Sequence, residues 1–254
     1  MSRLLIPTTE GSTVPHLSRQ DVHVWFCDLA RYDAERARLA ALLSQDEHNR
    51  LARFVFERDR HRFALSHGLL RVILARYVGI EAGRIEFATG THGKPAMSGP
   101  SDATGAIEFS LSHSGAYALV AVTTGRAVGV DVEVRRPDVE VLKLAQRFFV
   151  PGESQTIASI QGEAQQRLFY RFWTAKEAYL KGRGVGLSLG LDRFEVLFED
   201  RSPKAQVRLT ETGTFDRDWH VQSLPVPDHL AGGLAIEGEG LHVQMLDATA
   251  FPLR

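Results

Sequence analysis

The chain has 254 residues, 44% hydrophobic and 24% charged, and its 30 Lys and Arg balance 31 Asp and Glu to a formal net charge of −1. That balance speaks against a nucleic-acid-binding protein, which needs a surplus of bases, so anion recognition must come from local clusters. Cys27 stands alone, which excludes an internal disulfide and a multi-cysteine metal site, and no apolar run is long enough for a signal-peptide core or a membrane span. A soluble, cytoplasmic protein with no membrane and no nucleic-acid partner is expected.

Residues 22–26, rich in β-branched and aromatic side chains, predict a first strand. Ser44 with Glu47 makes a capping-box pattern that opens a helix towards Phe54. Between Arg58 and Val78 apolar residues recur at Leu65, Leu69, Val72, Ile73 and Tyr77, a helical stripe that Gly79 closes. Residues 85–87 read as a short strand, Gly93-Lys94-Pro95 as a loop, and 107–112 and 117–124 as strands separated by a turn at Ser114-Gly115.

The second half repeats this order. A strand at 127–134 is followed by helices near 139–149 and 163–181, then by strand candidates at 194–198, 206–209, 219–223, 234–236 and 241–246. The simplest account is an α+β fold of two similar halves, residues 1–124 and 125–254, with a site at their junction, a common place for ligands.

Two segments carry the chemistry. Gly129-Val130-Asp131-Val132-Glu133 sets two carboxylates two positions apart in an apolar run, so in a strand they leave one face about 7 Å apart. Trp173 to Lys181 sets Glu177 and Lys181 four apart on a helix, with Trp173 one turn back on the same stripe. Three acids flanked by bases suit a Mg²⁺ ion holding a diphosphate, because a small hard cation takes a few carboxylates and completes its shell with phosphate oxygens and water.

Each segment also has a plainer reading. Asp131 and Glu133 fit the outward face of an edge strand, and Glu177 with Lys181 fits a surface ion pair. Phe169, Phe172, Trp173, Ala178, Tyr179 and Leu180 make the helix apolar nearly all round, however, and a buried acid needs a cation or a metal. Ser112 beside His113 is not a nucleophile with its base, since neighbours on a strand face opposite ways, and no G-x-S-x-G elbow is present. His113 at a strand end can donate to a phosphate oxygen or simply bond nearby backbone. Arg50, Arg53, Arg58, Arg60, His61 and Arg62 form a dense basic stretch that is either a solvated helix face or a means of neutralising several phosphates.

Taken in order, Arg53 to Arg62, Gly93-Lys94-Pro95, Ser110 to Gly115, Gly129 to Glu133, Arg147-Phe148-Phe149 and Trp173 to Gly184 resemble the 4′-phosphopantetheinyl transferases of the surfactin-synthetase-activating type. The resemblance implies two pseudo-symmetric α+β halves with coenzyme A in their shared cleft. It implies Mg²⁺ on Asp131, Glu133 and Glu177, and coenzyme A held by Arg53, Arg62, Lys94, Ser112, His113 and Lys181. The implied reaction moves the phosphopantetheine arm to a serine of an apo acyl or peptidyl carrier protein, with Glu177, Lys181 and His113 as catalytic groups and a monomer as the working unit. A noncatalytic coenzyme A or carrier-binding module and a Mg²⁺-dependent diphosphate hydrolase are the competing expectations.

Overall fold

A computed structural model describes residues 16–89, 94–98, 106–185 and 189–250. Gly93 of the predicted G-K-P loop lies outside the described residues. In chain order the elements are β1 (Asp21–Asp28), α1 (Arg36–Ala40), α2 (Gln45–Leu51), α3 (Glu57–Val78), β2 (Glu86–Thr89), β3 (Pro95–Ser98), β4 (Ile107–Ser114), β5 (Tyr117–Thr124) and β6 (Val128–Val134). There follow α4 (Val141–Phe148), α5 (Pro151–Ala158), α6 (Gly162–Arg183), β7 (Phe194–Phe198), β8 (Lys204–Leu209), β9 (Trp219–Ser223), β10 (Leu230–Glu237) and β11 (His242–Asp247). The described chain divides into two α+β units: Lys94 with 126–241, and 16–89 with 95–125 and 242–250.

The unit that holds β1 is built on a four-stranded sheet in the order β11-β1-β5-β4. β1 is nearly continuously buried because it is an inner strand, antiparallel to β5 and parallel to β11, with Trp25 opposite both Val120 and Leu246. The sequence reading placed the last strand in the C-terminal half of 125–254. Its ladder with β1 puts it in the first unit instead, because alternation along a strand carries no record of its partner. β4 runs two residues further than predicted, to Ser114, and Gly115 turns the chain with φ 59°.

α3 covers this sheet with Leu69, Leu70, Ile73 and Leu74, which join Trp25, Phe109 and Val120 in one core. It ends as predicted at Gly79, whose φ of 68° is left-handed and whose N–H donates to the Ala75 carbonyl at 2.8 Å. The capping box is formed: the Glu47 N–H donates to Ser44 Oγ at 3.3 Å, and the Ser44 N–H donates to Glu47 Oε2 at 2.8 Å. Glu47 also accepts from Arg71 Nε at 2.8 Å and from His67 Nδ1 at 3.2 Å. These donors outweigh the upward push of burial and hold its carboxyl at about 2. Trp25 Nε1 donates to the Tyr77 hydroxyl, which is also hydrogen-bonded to His23 Nδ1, both at 2.8 Å, and burial pushes the pKa of His23 down to about 4, which keeps it neutral.

The second unit is a wholly antiparallel five-stranded sheet, β6-β10-β9-β8-β7, with α6 across β6 and β10. Glycines bring helix and sheet backbones into contact. A Cβ at Gly129 would lie 2.0 Å from the Ala178 carbonyl oxygen, one at Gly233 would lie 2.3 Å from that of Thr174, and one at Gly182 would meet the Trp219 ring at 2.4 Å. α5, a short helix with Pro151 in its first turn, was not foreseen in the sequence. Among the described residues no helix is long and apolar enough to cross a membrane.

Candidate active site

β6 is an edge strand, as its alternation allows, but the face that carries the acids is covered. Gly129 meets α6, so by strand parity Asp131 and Glu133 leave the same face, while Val128, Val130 and Val132 are fully buried on the other. Asp131 is only 3% exposed. The i, i+4 spacing on α6 then presents Glu177 and Lys181 to these acids. Lys181 Nζ donates to Asp131 Oδ1 at 2.6 Å.

The charges in this group are strongly coupled. Burial raises the Glu177 carboxyl first, the Asp131 carboxylate raises it further, the Lys181 ammonium opposes them, and Glu133 adds a smaller upward push, so it stands at about 7. A carboxyl that is half ionised near neutrality is suited to accept and return a proton. Lys94 joins from the chain just before β3: its ammonium donates to the carbonyls of Val128 at 3.0 Å and Gly182 at 3.1 Å. It thus fastens the end of α6 to β6, a role not foreseen in the sequence, at the helix end where positive charge is favoured.

The structure therefore brings Lys94, Asp131, Glu133, Glu177 and Lys181 together in one unit. Arg53, Arg62, Ser112 and His113 belong to the other. There Arg53 is exposed beyond α2, Arg62 sits 3.7 Å from Asp59 on α3, and Arg50 lies over the Phe63 ring. On β4 Ser112 is buried and His113 exposed, in keeping with their opposite faces.

Among the described residues no three His, Cys, Asp or Glu side chains stand ready-made around one metal position. The donor types nonetheless fit Mg²⁺, since Asp131, Glu133 and Glu177 offer hard carboxylate oxygens and such an ion leaves much of its shell to water and phosphate. In this arrangement the Lys181 ammonium supplies the positive charge that faces Asp131.

Two residues missed in the sequence hold the site helix in place. Lys176, one position before Glu177, is fully buried: its ammonium forms an ion pair with Glu153 Oε2 at 2.9 Å and donates to the Leu191 carbonyl at 2.9 Å and the Phe194 carbonyl at 2.5 Å. Glu153 Oε1 accepts from the Val196 N–H at 2.7 Å. The all-round apolar character of α6 was the available signal, because a lysine there must be buried and hence paired. Trp173 closes the same region against Phe148, Phe149 and Phe169, at centroid separations of 6.1, 6.1 and 5.6 Å.

Comparison with known proteins defines the family of the chain. A family model described as the 4′-phosphopantetheinyl transferase superfamily matches residues 127–236, and one described as the N-terminal part of a 4′-phosphopantetheinyl transferase matches 32–125. The 4′-phosphopantetheinyl transferase HetI of Nostoc sp. (strain PCC 7120) is 36% identical over 224 residues, covering 88% of this chain and 91% of the relative. A phosphopantetheinyl transferase of Thraustochytrium sp. is 33% identical, covering 80% and 77%, and Sfp of Bacillus subtilis (strain 168) is 32% identical, covering 64% and 69%. The chain belongs to the 4′-phosphopantetheinyl transferase superfamily.

Proposed function

We propose that Asp131, Glu133, Glu177 and Lys181 are the reaction centre of this enzyme and that its acceptor is a serine of apo acyl or peptidyl carrier proteins. The chain is a 4′-phosphopantetheinyl transferase, which moves the arm from coenzyme A to carrier proteins. The observation that carries the assignment of the centre is geometric: Lys181 on α6, one turn after Glu177, donates at 2.6 Å to the buried Asp131 on the strand that also carries Glu133.

In the proposed reaction the serine Oγ forms a bond to the phosphorus that bears the pantetheine arm. The bridging P–O bond of the diphosphate breaks, and its electron pair leaves on adenosine 3′,5′-bisphosphate. Glu177 accepts the serine proton as the general base. Lys181 stabilises negative charge on the phosphate oxygens, the main task in phosphoryl transfer. Asp131, Glu133 and Glu177 would hold Mg²⁺, which when bound compensates the charge of the diphosphate. Arg53, Arg62, Lys94, Ser112 and His113 are assigned to coenzyme A by the family pattern, with His113 assisting at a phosphate oxygen. A cytoplasmic monomer is the expected working form, which light scattering on the purified chain would test.

Incubating the protein with Mg²⁺, coenzyme A and a panel of apo carrier proteins, and weighing the carriers by mass spectrometry, tests the proposal. The arm should appear on the carrier serine, and Asp131→Ala should lower the rate at least about 100-fold, near 3 kcal/mol of barrier. Coenzyme A binding without transfer would identify a binding module, and nucleotide release without a carrier would identify a hydrolase. A rate within threefold of wild type in Asp131→Ala would overturn the assigned centre.

A further inference from the structure

We propose that Arg135, Arg167, Arg171 and Arg201 form a second anion site in the C-terminal unit, one that takes a phosphate group. They line a single cavity of about 440 Å³ in which Asp228 is the one carboxylate. Four guanidiniums against Asp228 in the lining and Glu163 beside Arg135 and Arg167 is still a local excess of positive charge in a chain whose net charge is −1. The site uses none of the side chains of the acid–lysine centre and does not rest on the transferase reading.

Two of the bases, Arg171 and Arg135, are held in place before any ligand arrives. Arg171 Nε donates to Ser223 Oγ at 3.1 Å, its terminal nitrogen donates to the Ser202 carbonyl at 2.6 Å, and its guanidinium lies 3.7 Å from the centre of the Phe198 ring. Fixing the fork during folding removes much of the ordering cost of binding. Arg135 has a side chain only 12% exposed, and its buried Nε makes no hydrogen bond among the described residues. Its terminal nitrogen stands 3.8 Å from Glu163 Oε1, the same oxygen to which Arg167 Nε donates at 3.1 Å. One carboxylate oxygen is thus shared between two guanidiniums.

Arg201 supplies an independent indication. It has φ 53°, among the described residues the one non-glycine in the left-handed region, within the turn that joins β7 to β8. A side chain with a Cβ is strained there, and glycine would sit without strain. Strain of this kind persists where a side chain has a use, and here the side chain walls the cavity. A phosphate group matches the cluster: it carries close to two negative charges and three acceptor oxygens, and guanidinium forks bind it bidentately.

Inorganic phosphate and the phosphate ester of a larger molecule share this chemistry, so calorimetric titration of the full chain with inorganic phosphate and with O-phosphoserine, at constant ionic strength, addresses both. Saturable binding of either is expected, weakened about tenfold in Arg201→Gly and in Arg167→Gln. Arg201→Gly also keeps the test independent of folding, because its unfolding temperature in phosphate-free buffer should equal or exceed that of the wild type. Saturable binding of O-phosphoserine alone would assign the site to esterified phosphate. The absence of saturable binding of both anions overturns the proposal. So does binding that both variants retain and Lys181→Gln loses, which would place the anion at the transfer centre.

Discussion

Gly129 on β6 and Ala178 on α6 approach so closely that a methyl group on the first would lie 2.0 Å from the carbonyl oxygen of the second and 2.2 Å from the Gly182 nitrogen. Those neighbours are backbone and cannot swing aside. Gly129→Ala should therefore force α6 off the sheet and destabilise the protein by at least about 3 kcal/mol, the upper end of overpacking costs. Urea denaturation measures this. Gly83→Ala, with nothing within 4 Å of its added carbon, should change stability by less than about 0.5 kcal/mol. Equal effects of the two changes would refute the close-contact account.

The same contact sets the electrostatics of Glu177. Since Asp131 and Glu133 both raise its carboxyl and Lys181 lowers it, Glu133→Gln should bring the ionisation of Glu177 below about 7, and Lys181→Met should move it higher. Carboxyl-carbon NMR titration of the metal-free protein reads the shift directly. Shifts in the reverse directions would mean that these groups do not face one another.

Lys176 and Glu153 form a buried pair, so removing one partner strands a charge. Lys176→Met alone should cost about 3–5 kcal/mol, and adding Glu153→Leu should recover much of the loss. A double-mutant cycle in denaturant measures the coupling. Additive losses would show that the pair contributes no mutual stabilisation.

Acid should weaken the unit that holds β1 in two stages. His23 is held neutral down to about 4, whereas in the unfolded chain it takes a proton near 6.5, so the stability it confers is lost as pH falls between those values. Glu47 has its carboxyl depressed from 4.5 to about 2, so its contribution is complete above 4.5 and disappears as pH falls towards 2. A displacement of that size corresponds to about 3 kcal/mol for this buried group. Glu47→Gln should flatten the profile of unfolding free energy below pH 4.5 and leave the His23 window unchanged. An unaltered low-pH slope would show that Glu47 is not tied to Arg71.

The sequence alone determined the local features: the capping box at Ser44, the helix ending at Gly79, the strand with Asp131 and Glu133 on one face, and the placement of Glu177 and Lys181 on one helical stripe. These follow from periods of two and 3.6 residues and from the steric freedom of glycine, which act over a few positions. Only the tertiary structure decided that β11 returns to pair with β1, that Lys94 fastens α6 to β6, that Lys176 finds Glu153, and that the acid-bearing face of an edge strand is covered by α6. Each joins residues distant in sequence, and such pairing depends on which buried charges and strand edges remain to be satisfied once the chain has packed.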